Sequence, residues 1–261
     1  MKKYFSLLLA GVLTASVLTG CGAGSNASSA KVDINSKTLS DGVLTVGTNA
    51  EFPPFEYVGD DGQPDGFDIA LIKAVAENLG VEVVVENMEF DSLVSSIGSK
   101  TDVAIAGMTV TDERKQSVDF STPYYSAMQH VLVPADSAIS TYDDLKGKTL
   151  GCQLGTTGDF LIEDIEGATN QQYNKAVDAV NDLVNGRLDA VIVDSNPAGV
   201  FASNFQGQIK DLNGEDFGFE IEEYAIALPK GDTALKEAID VAITTIKEDG
   251  TFDKLVDEYM K

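Results

Sequence analysis

From Gly42 onward the chain alternates short apolar runs with longer runs whose apolar residues recur at helical spacing, and this alternation limits the possible folds most strongly. Helical spacing indicates amphipathic helices, whereas short runs rich in valine and isoleucine indicate buried strands. In the first part of the chain the pattern predicts strands at 43–47, 81–85 and 102–106, and helices at 67–79 and 90–97. This order is typical of right-handed βαβ units on a largely parallel sheet.

A second stretch with the same pattern begins near Asp136. It predicts strands at 149–153, 189–193 and 221–228, and helices within 155–165, 176–184, 234–246 and 252–259. The predicted fold class is therefore α/β, with two α/β lobes that face each other across a cleft.

A short internal similarity links the two stretches. Asp-Ser-Leu-Val at 91–94 leads through a turn to a strand at 102–106, and Asn-Asp-Leu-Val at 181–184 leads in the same way to a strand at 189–193. Each strand begins with aspartate and is followed directly by a non-apolar residue, Gly107 or Asp194. Open α/β sheets bind ligands beyond the carboxyl ends of their strands, so we expect both residues near a ligand. The similarity is explained equally well by a true repeat and by common βαβ patterning.

The first residues predict an exported, lipid-anchored protein. Lys2 and Lys3 precede an apolar run at 4–18, which is short for a membrane span and is typical of a signal peptide. The sequence Leu-Thr-Gly-Cys at 18–21 resembles the lipobox of bacterial lipoproteins, which implies removal of 1–20 and acylation of Cys21. Residues 21–39, rich in Gly, Ser, Ala and Asn, then read as a flexible tether. The alternative is an ordinary signal peptide with an incidental cysteine.

Composition excludes several functions. A formal net charge of −24 repels phosphate backbones and anionic lipid headgroups, so we expect no nucleic-acid partner and membrane contact only through the lipid. Cys152 is the remaining cysteine and lies in an apolar run, where it is predicted to be a buried structural thiol. Since His130 is the sole histidine, neither a metal site nor a cofactor is predicted.

Six motifs in order resemble the amino-acid-binding proteins of bacterial ABC importers, the extracellular solute-binding proteins of family 3. The motifs are Gly-Thr-Asn-Ala-Glu-Phe-Pro-Pro-Phe-Glu at 47–56, Gly-Phe-Asp at 66–68, Ala-Gly-Met-Thr-Val-Thr-Asp-Glu-Arg at 106–114, Phe-Ser-Thr-Pro-Tyr-Tyr at 120–125, Gly-Thr-Thr-Gly at 155–158 and Asp-Ala-Val-Ile-Val-Asp at 189–194. The resemblance implies the two-lobed type II periplasmic-binding fold. The first lobe would comprise 40–131 and 224–261, and the second 132–223. Two crossing strands, near 129–134 and 223–228, would form the hinge.

A free amino acid is a zwitterion, so its site needs a cation for the carboxylate and an anion for the ammonium. Arg114 follows a predicted strand, and its planar guanidinium suits bidentate carboxylate binding. Gly107 and Thr109 would offer a backbone carbonyl, an N–H and a hydroxyl to the carboxylate and ammonium end groups of the ligand. By resemblance, the backbone amide and the hydroxyl of Thr157 reach the carboxylate from the second lobe, and Asp194 binds the ammonium. The structural alternatives are a solvated Arg114 paired with an acid and helix capping by Thr157 or Asp194.

The resemblance also implies side-chain contacts. Phe52 and Phe90 match aromatic positions that enclose the ligand, although each is also a plausible core residue. Asn49 stands where several family members have aspartate, and Gln153 occupies a second position that faces the ligand side chain. These two amides suit a polar, uncharged side chain, whereas Glu51 nearby would suit a cationic one or simply face solvent.

These features predict a non-enzymatic, monomeric binding protein on the outer side of the cell membrane. It would capture a free polar L-amino acid, glutamine-like or basic, and deliver it to an ABC permease. Two other functions are compatible with the same fold. One is a dehydratase-type enzyme that acts on a small carboxylic acid, and the other is a ligand sensor that partners a membrane receptor.

Overall fold

The structure is a computed structural model, and it describes residues 38–39 and 41–261. The predicted signal peptide, the lipidated Cys21 and nearly all of the predicted tether lie outside these residues. No helix in the described part of the chain is long and apolar enough to cross a membrane.

The described residues form strands and helices in the alternating order that the sequence predicts. The strands are β1 Val43–Thr48, β2 Glu51–Phe52, β3 Glu56–Val58, β4 Pro64–Asp65, β5 Glu82–Asn87, β6 Val103–Ala104, β7 Val118–Phe120, β8 Tyr125–Pro134, β9 Thr149–Gln153, β10 Thr169–Tyr173, β11 Ala190–Asp194, β12 Ile209–Leu212, β13 Ile221–Tyr224 and β14 Ala227–Pro229. The helices are α1 Phe67–Leu79, α2 Leu93–Ser96, α3 Arg114–Ser117, α4 Thr157–Glu163, α5 Ala176–Val184, α6 Ser195–Asn204, α7 Thr233–Glu248 and α8 Thr251–Tyr259. Short 3₁₀ turns cover Phe90–Ser92, Tyr142–Leu145 and Gly214–Phe217.

The first lobe is built on a mixed sheet with the strand order β5-β1-β6-β14-β7. β1 runs parallel to both β5 and β6, whereas β14 is antiparallel to β6 and β7. Helix α1 buries its apolar face, including Leu71 and Ile72, and packs against α7 and α8. Gly80 ends α1 in the left-handed conformation, at φ 70°, which glycine adopts without steric cost.

The second lobe has the strand order β10-β9-β11-β8-β12. β9 is parallel to β10 and β11, whereas β8 runs antiparallel to β11 and β12. Cys152 on β9 is fully buried, as predicted for a structural thiol, and burial raises its pKa well above the usual range. This thiol therefore stays protonated and is a poor nucleophile.

Two antiparallel strands connect the lobes. The first four residues of β8, from Tyr125 to Met128, pair with β13. From Gln129 onward β8 belongs to the second sheet, where it pairs with β11 and β12. The chain thus leaves the first lobe earlier than the predicted crossing at 129–134. The predicted strand at 221–228 is divided into β13, which pairs with β8, and β14, which pairs in the first sheet. The lobe boundaries at 131 and 223 stay a prediction.

The internal similarity of the sequence corresponds to equivalent positions in the two lobes. Asp102 accepts a hydrogen bond of 2.8 Å from the backbone N–H of Thr45, and Asp189 accepts one of 2.8 Å from that of Thr149. Each aspartate thereby ties the start of its strand to the neighbouring parallel strand. Both strands then point their carboxyl ends towards the cleft, which is where Gly107 and Asp194 lie.

Candidate ligand-binding site

A small cavity lies between the lobes. Small-molecule sites are typically concave and carry a few convergent polar groups. The cavity is lined by Phe52, Phe90, Ala106, Gly107, Thr109, Arg114, Gln153, Thr156, Thr157 and Asp194. Eight of the ten predicted site residues are among them, and the two that are not are Asn49 and Glu51.

Arg114 is the first residue of α3 and is 7% exposed. Its guanidinium donates one hydrogen bond of 2.6 Å to the carbonyl oxygen of Thr109 and another of 2.9 Å to that of Gly155 in the second lobe. The guanidinium also lies over the ring of Phe90, 5.4 Å from its centroid. Burial lowers the pKa of Arg114, while the negative charges of Glu222 and Asp194 act in the opposite direction. Arg114 is therefore a buried cation between the lobes, and the solvated alternative does not apply.

Asp194 ends β11 and is also 7% exposed. One of its carboxylate oxygens accepts a hydrogen bond of 2.5 Å from the hydroxyl of Tyr224. Burial, reinforced by the nearby charge of Glu222, raises the pKa of Asp194 to about 7. Asp194 stands at the N-cap position of α6, yet among the described contacts its side chain makes no capping hydrogen bond. Asp194 therefore lines the cavity and does not cap α6, and its contact with an ammonium stays a prediction.

Thr157 is the first residue of α4, but the capping side chain at this helix belongs to Thr156, which accepts from the N–H of Asp159. The hydroxyl of Thr157 instead donates to Glu222 at 2.8 Å, and the hydroxyl of Thr109 donates to the same carboxylate oxygen at 2.5 Å. Thr109 belongs to the first lobe and Thr157 to the second. The two threonines are thus brought together across the cleft through one acidic side chain.

The two predicted amides, Asn49 and Gln153, contact each other across the cleft. The amide nitrogen of Asn49 donates to the carbonyl oxygen of Met88 at 2.9 Å, so its oxygen accepts from the amide nitrogen of Gln153 at 2.8 Å. Gln153 donates a second bond of 2.9 Å to the carbonyl oxygen of Asn174. Backbone carbonyls only accept, which fixes the orientation of both amides. Asn49 therefore contacts Gln153 and does not line the cavity, and the expected direct contact with a ligand stays a prediction.

Glu51 also departs from its expected role. Its carboxylate forms an ion pair of 2.7 Å with Lys175, which immediately precedes α5 in the second lobe. Both side chains are partly exposed, so the pair lies at the rim of the cleft. A carboxylate already paired with lysine is less available to a cationic ligand. Glu51 joins the lobes instead of lining the cavity.

Apolar groups and one glycine shape the remaining wall. The ring of Phe52 stacks on that of Phe55, with centroids 6.0 Å apart. Gly107 has φ +52°, and a Cβ atom there would lie 3.0 Å from Phe52 and 3.3 Å from Tyr224. Its N–H donates to the buried carboxylate of Asp68 at 2.7 Å, which leaves its carbonyl rather than its N–H for a ligand. Burial raises the pKa of Asp68 to about 6.

Several residues at the site were not predicted. Ala106 and Thr156 line the cavity, while Glu222 and Tyr224 contact residues that line it. Tyr224 and Glu222 lie two apart on β13, so they share one face of a crossing strand. The period-two pattern of the return strand could have predicted an inward-facing Tyr224. Glu222 lies in an acidic run that is typical of a solvated surface.

The model of the bacterial extracellular solute-binding proteins, family 3, matches residues 44–261 of this chain. The chain belongs to this family. The arginine-binding extracellular protein ArtP of Bacillus subtilis is 36% identical over 98% of this chain and 96% of its own length. As a member of an extracellular family, the protein is located outside the cytoplasm.

Solved structures share the two-lobed periplasmic-binding fold. The substrate-binding protein of an amino acid ABC transporter has a TM-score of 0.78 at 39% identity, covering 84% of this chain and 99% of its own. An ancestral arginine-binding protein bound to arginine has a TM-score of 0.79 at 38% identity, covering 84% of this chain and 99% of its own. An ancestral arginine-binding protein bound to glutamine has a TM-score of 0.78 at 39% identity, covering 84% of this chain and 97% of its own.

Proposed function

We propose that this protein is the substrate-binding component of an ABC importer and captures a free L-amino acid whose side chain donates hydrogen bonds. Basic amino acids and glutamine meet this requirement. The observation that supports the proposal best is the placement of Arg114 and Asp194 around one cavity between two lobes. A guanidinium and a carboxylate at one small cavity match the two charges of a zwitterion.

The side-chain preference follows from the hydrogen bonds of Gln153. Its two N–H groups are donated to Asn49 and Asn174, so the group that it can offer to the cavity is its carbonyl oxygen. A carbonyl oxygen accepts from a guanidinium, an ammonium or a carboxamide N–H, and an apolar side chain would leave it without a partner. The relatives' ligands support this, since ArtP is named for arginine and ancestral arginine-binding proteins are solved with arginine and with glutamine.

Capture would proceed by closure of the two lobes about the crossing strands. Hinge closure around a ligand is the established motion of periplasmic binding proteins. A ligand held by Arg114 in the first lobe and by Asp194 in the second makes both sets of contacts only in the closed form. Because a ligand shifts an equilibrium through its differential affinity, such bridging favours closure. The closed form would then be the one presented to the permease.

The test is a thermal-shift screen of the purified protein against the twenty L-amino acids, followed by calorimetric titration of those that stabilise it. A ligand that binds the native state raises the melting temperature by mass action. We expect arginine, lysine, histidine or glutamine to give the largest shift. A best ligand that is a sugar, a metal ion or a large apolar amino acid would contradict the assignment of the site.

We propose that the protein binds its ligand without chemical change. The dehydratase alternative requires a group that transfers protons to a substrate, and Asp194, with its raised pKa, is the site residue best suited to do so. Mass spectrometry of bound ligand and of small carboxylic acids after prolonged incubation tests this. Recovery of unaltered compounds is expected, and a dehydrated or decarboxylated product that forms catalytically would favour the enzyme.

We also propose that the protein acts as a monomer anchored through acylated Cys21. Replacement of Cys21 by serine should abolish palmitate labelling and release the protein from membranes, while its ligand affinity stays the same. Cys152→Ser is the matched control, because Cys152 is buried in the second lobe and should leave labelling unaffected. Continued membrane association of Cys21→Ser would rule out the lipid anchor. Sedimentation of the released protein should give the mass of one chain.

A further inference from the structure

Glu222 occupies an unusual position beside the cavity. It lies on the crossing strand β13, and one of its carboxylate oxygens accepts hydrogen bonds from Thr109 in the first lobe and Thr157 in the second. Both threonines line the cavity and also border an open groove beside it. Glu222 lines the groove but not the cavity. The two threonines therefore separate the cavity from the groove, and Glu222 accepts their hydrogen bonds from the groove side.

This arrangement determines what each hydroxyl can offer to a ligand. A hydroxyl has one proton to donate and two lone pairs with which to accept, and a carboxylate can only accept. Thr109 and Thr157 both use their single proton on Glu222. Thr157 also accepts a bond of 3.1 Å from the amide nitrogen of Gln129. Towards the cavity, both hydroxyls are thus restricted to accepting hydrogen bonds.

We propose that Glu222 is a positioning residue that orients the hydroxyls of Thr109 and Thr157 as acceptors for the α-ammonium of the bound amino acid. The inference rests on the proposed function and refines it. The resemblance implied that the backbone N–H and the hydroxyl of Thr157 both reach the ligand carboxylate, but with its proton held by Glu222 the hydroxyl cannot donate to an anion. The carboxylate is then left to Arg114 and the backbone N–H of Thr157, and Asp194 and the two hydroxyls together receive the ammonium.

The backbone supports this division of roles. Thr109 forms an isolated antiparallel bridge with Tyr224, flanked by bonds from Val110 N–H to the Glu223 carbonyl and from Ala225 N–H to the Met108 carbonyl. In this antiparallel bridge the N–H of Thr109 points away from β13. The Thr109 side chain is therefore held by Glu222 while its backbone is fixed by the same strand.

The experiment compares L-arginine with 5-guanidinopentanoic acid, which is arginine without its α-ammonium, and L-glutamine with 5-amino-5-oxopentanoic acid, its equivalent. Each is titrated calorimetrically into wild type, Glu222→Ala, Thr109→Val and the double variant. Glu223→Ala is the matched control, because Glu223 is the adjacent acid on β13 and its side chain is exposed.

Wild type should prefer each amino acid strongly over its des-amino analogue. In Glu222→Ala the freed hydroxyls can turn their protons towards the cavity, so this preference should fall at least about tenfold, with loss of amino acid affinity and gain for the analogue. A tenfold change corresponds to about 1.4 kcal/mol, which is within the range of one hydrogen bond to a charged group. In Thr109→Val, further loss of Glu222 should have a reduced effect, because neighbouring residues that act together are not additive.

Three results would overturn the inference. If wild type binds the amino acids with strong preference and Glu222→Ala retains that preference, Glu222 does not orient the hydroxyls, although the proposed function stands. The same conclusion follows if the effects of Glu222→Ala and Thr109→Val simply add. If wild type binds neither amino acid, the proposed function fails and the inference fails with it. Glu222→Asp, whose shorter side chain retains the carboxylate, should recover part of the preference.

Discussion

Replacement of Arg114 by alanine tests the centre of the proposed site. The wild-type guanidinium has 7% exposure and donates to the carbonyl oxygens of Thr109 and Gly155. Two of its five N–H groups are used in this way, so others remain for a ligand carboxylate. Alanine removes the cation and leaves a desolvated carboxylate without its main partner when the lobes close.

The expected loss is large because the interaction is shielded from water. Truncation of one partner of a buried charge pair costs about 2–5 kcal/mol. At about 1.4 kcal/mol per tenfold change, the dissociation constant should rise about thirtyfold to several thousandfold. Arg114→Lys retains the charge but not the planar fork, and it should recover only part of this loss. Unfolding of the ligand-free protein should change by less than about 2 kcal/mol, because the lost hydrogen bonds are offset by relief of a buried charge.

The assay is calorimetric titration with the best ligand from the screen, accompanied by urea unfolding of each ligand-free variant. Arg187→Ala is a close control, because Arg187 is the other arginine of the chain and forms a largely exposed pair with Asp182. That control should retain wild-type affinity. Unchanged affinity in Arg114→Ala would move the carboxylate site elsewhere. A collapse of ligand-free stability would instead make Arg114 a structural residue that holds Thr109 and Gly155.

Three further predictions concern the neighbouring groups. Asp194→Asn should abolish tight binding yet stabilise the ligand-free protein at pH 8. The pKa of Asp194 is about 7 in the fold against an ordinary value of 3.8, so wild-type stability falls as pH rises from about 4 to 7, and in urea unfolding the variant's gain should shrink at pH 5. Lys175→Met should raise the dissociation constant by no more than about fivefold, because a partly exposed ion pair contributes about 1 kcal/mol or less, and titration in high salt should remove the difference from wild type. Gly107→Ala should lower the free energy of unfolding by about 1–2 kcal/mol and should also weaken ligand binding, because the φ of this residue is +52° and the new methyl group would meet Phe52. Thermal or urea unfolding tests this, and unchanged stability would show that the backbone can relax.

The fold and much of the cavity were predictable because their signals are local. Helical spacing at 67–79 gives α1 with the same bounds, and Gly107 and Asp194 follow strands directly, so the topology of an open α/β sheet places both at the cleft. The antiparallel course of β8 was not evident, because a long strand shared by both lobes has no distinctive sequence period. The return strand was predicted as one element for the same reason, although it divides between two sheets.

The residues whose roles differ are those that depend on the relative position of the lobes. Asn49 and Glu51 are close in sequence to Phe52, which lines the cavity. Their partners Gln153 and Lys175, however, are about a hundred residues or more further along the chain. No local pattern reports such a pairing. Glu222 was missed because the acidic run around it is typical of a solvated surface, and only the register of β13 turns it towards the two threonines.

The charges at the cleft explain why closure should depend on an ammonium-bearing ligand. Hydrogen bonds and ion pairs already join the lobes through Gly155, Gln153 and Lys175, and each contributes modestly to the closed form. Asp194 lies buried beside the negative charge of Glu222, and these two causes raise its pKa to about 7. At pH 8 the ligand-free protein must therefore hold this carboxylate as a buried anion without an ammonium partner. A ligand ammonium that pairs with Asp194 offsets the cost of burying this charge. We therefore expect the contact with Asp194 to contribute most to the ligand's preference for the closed form.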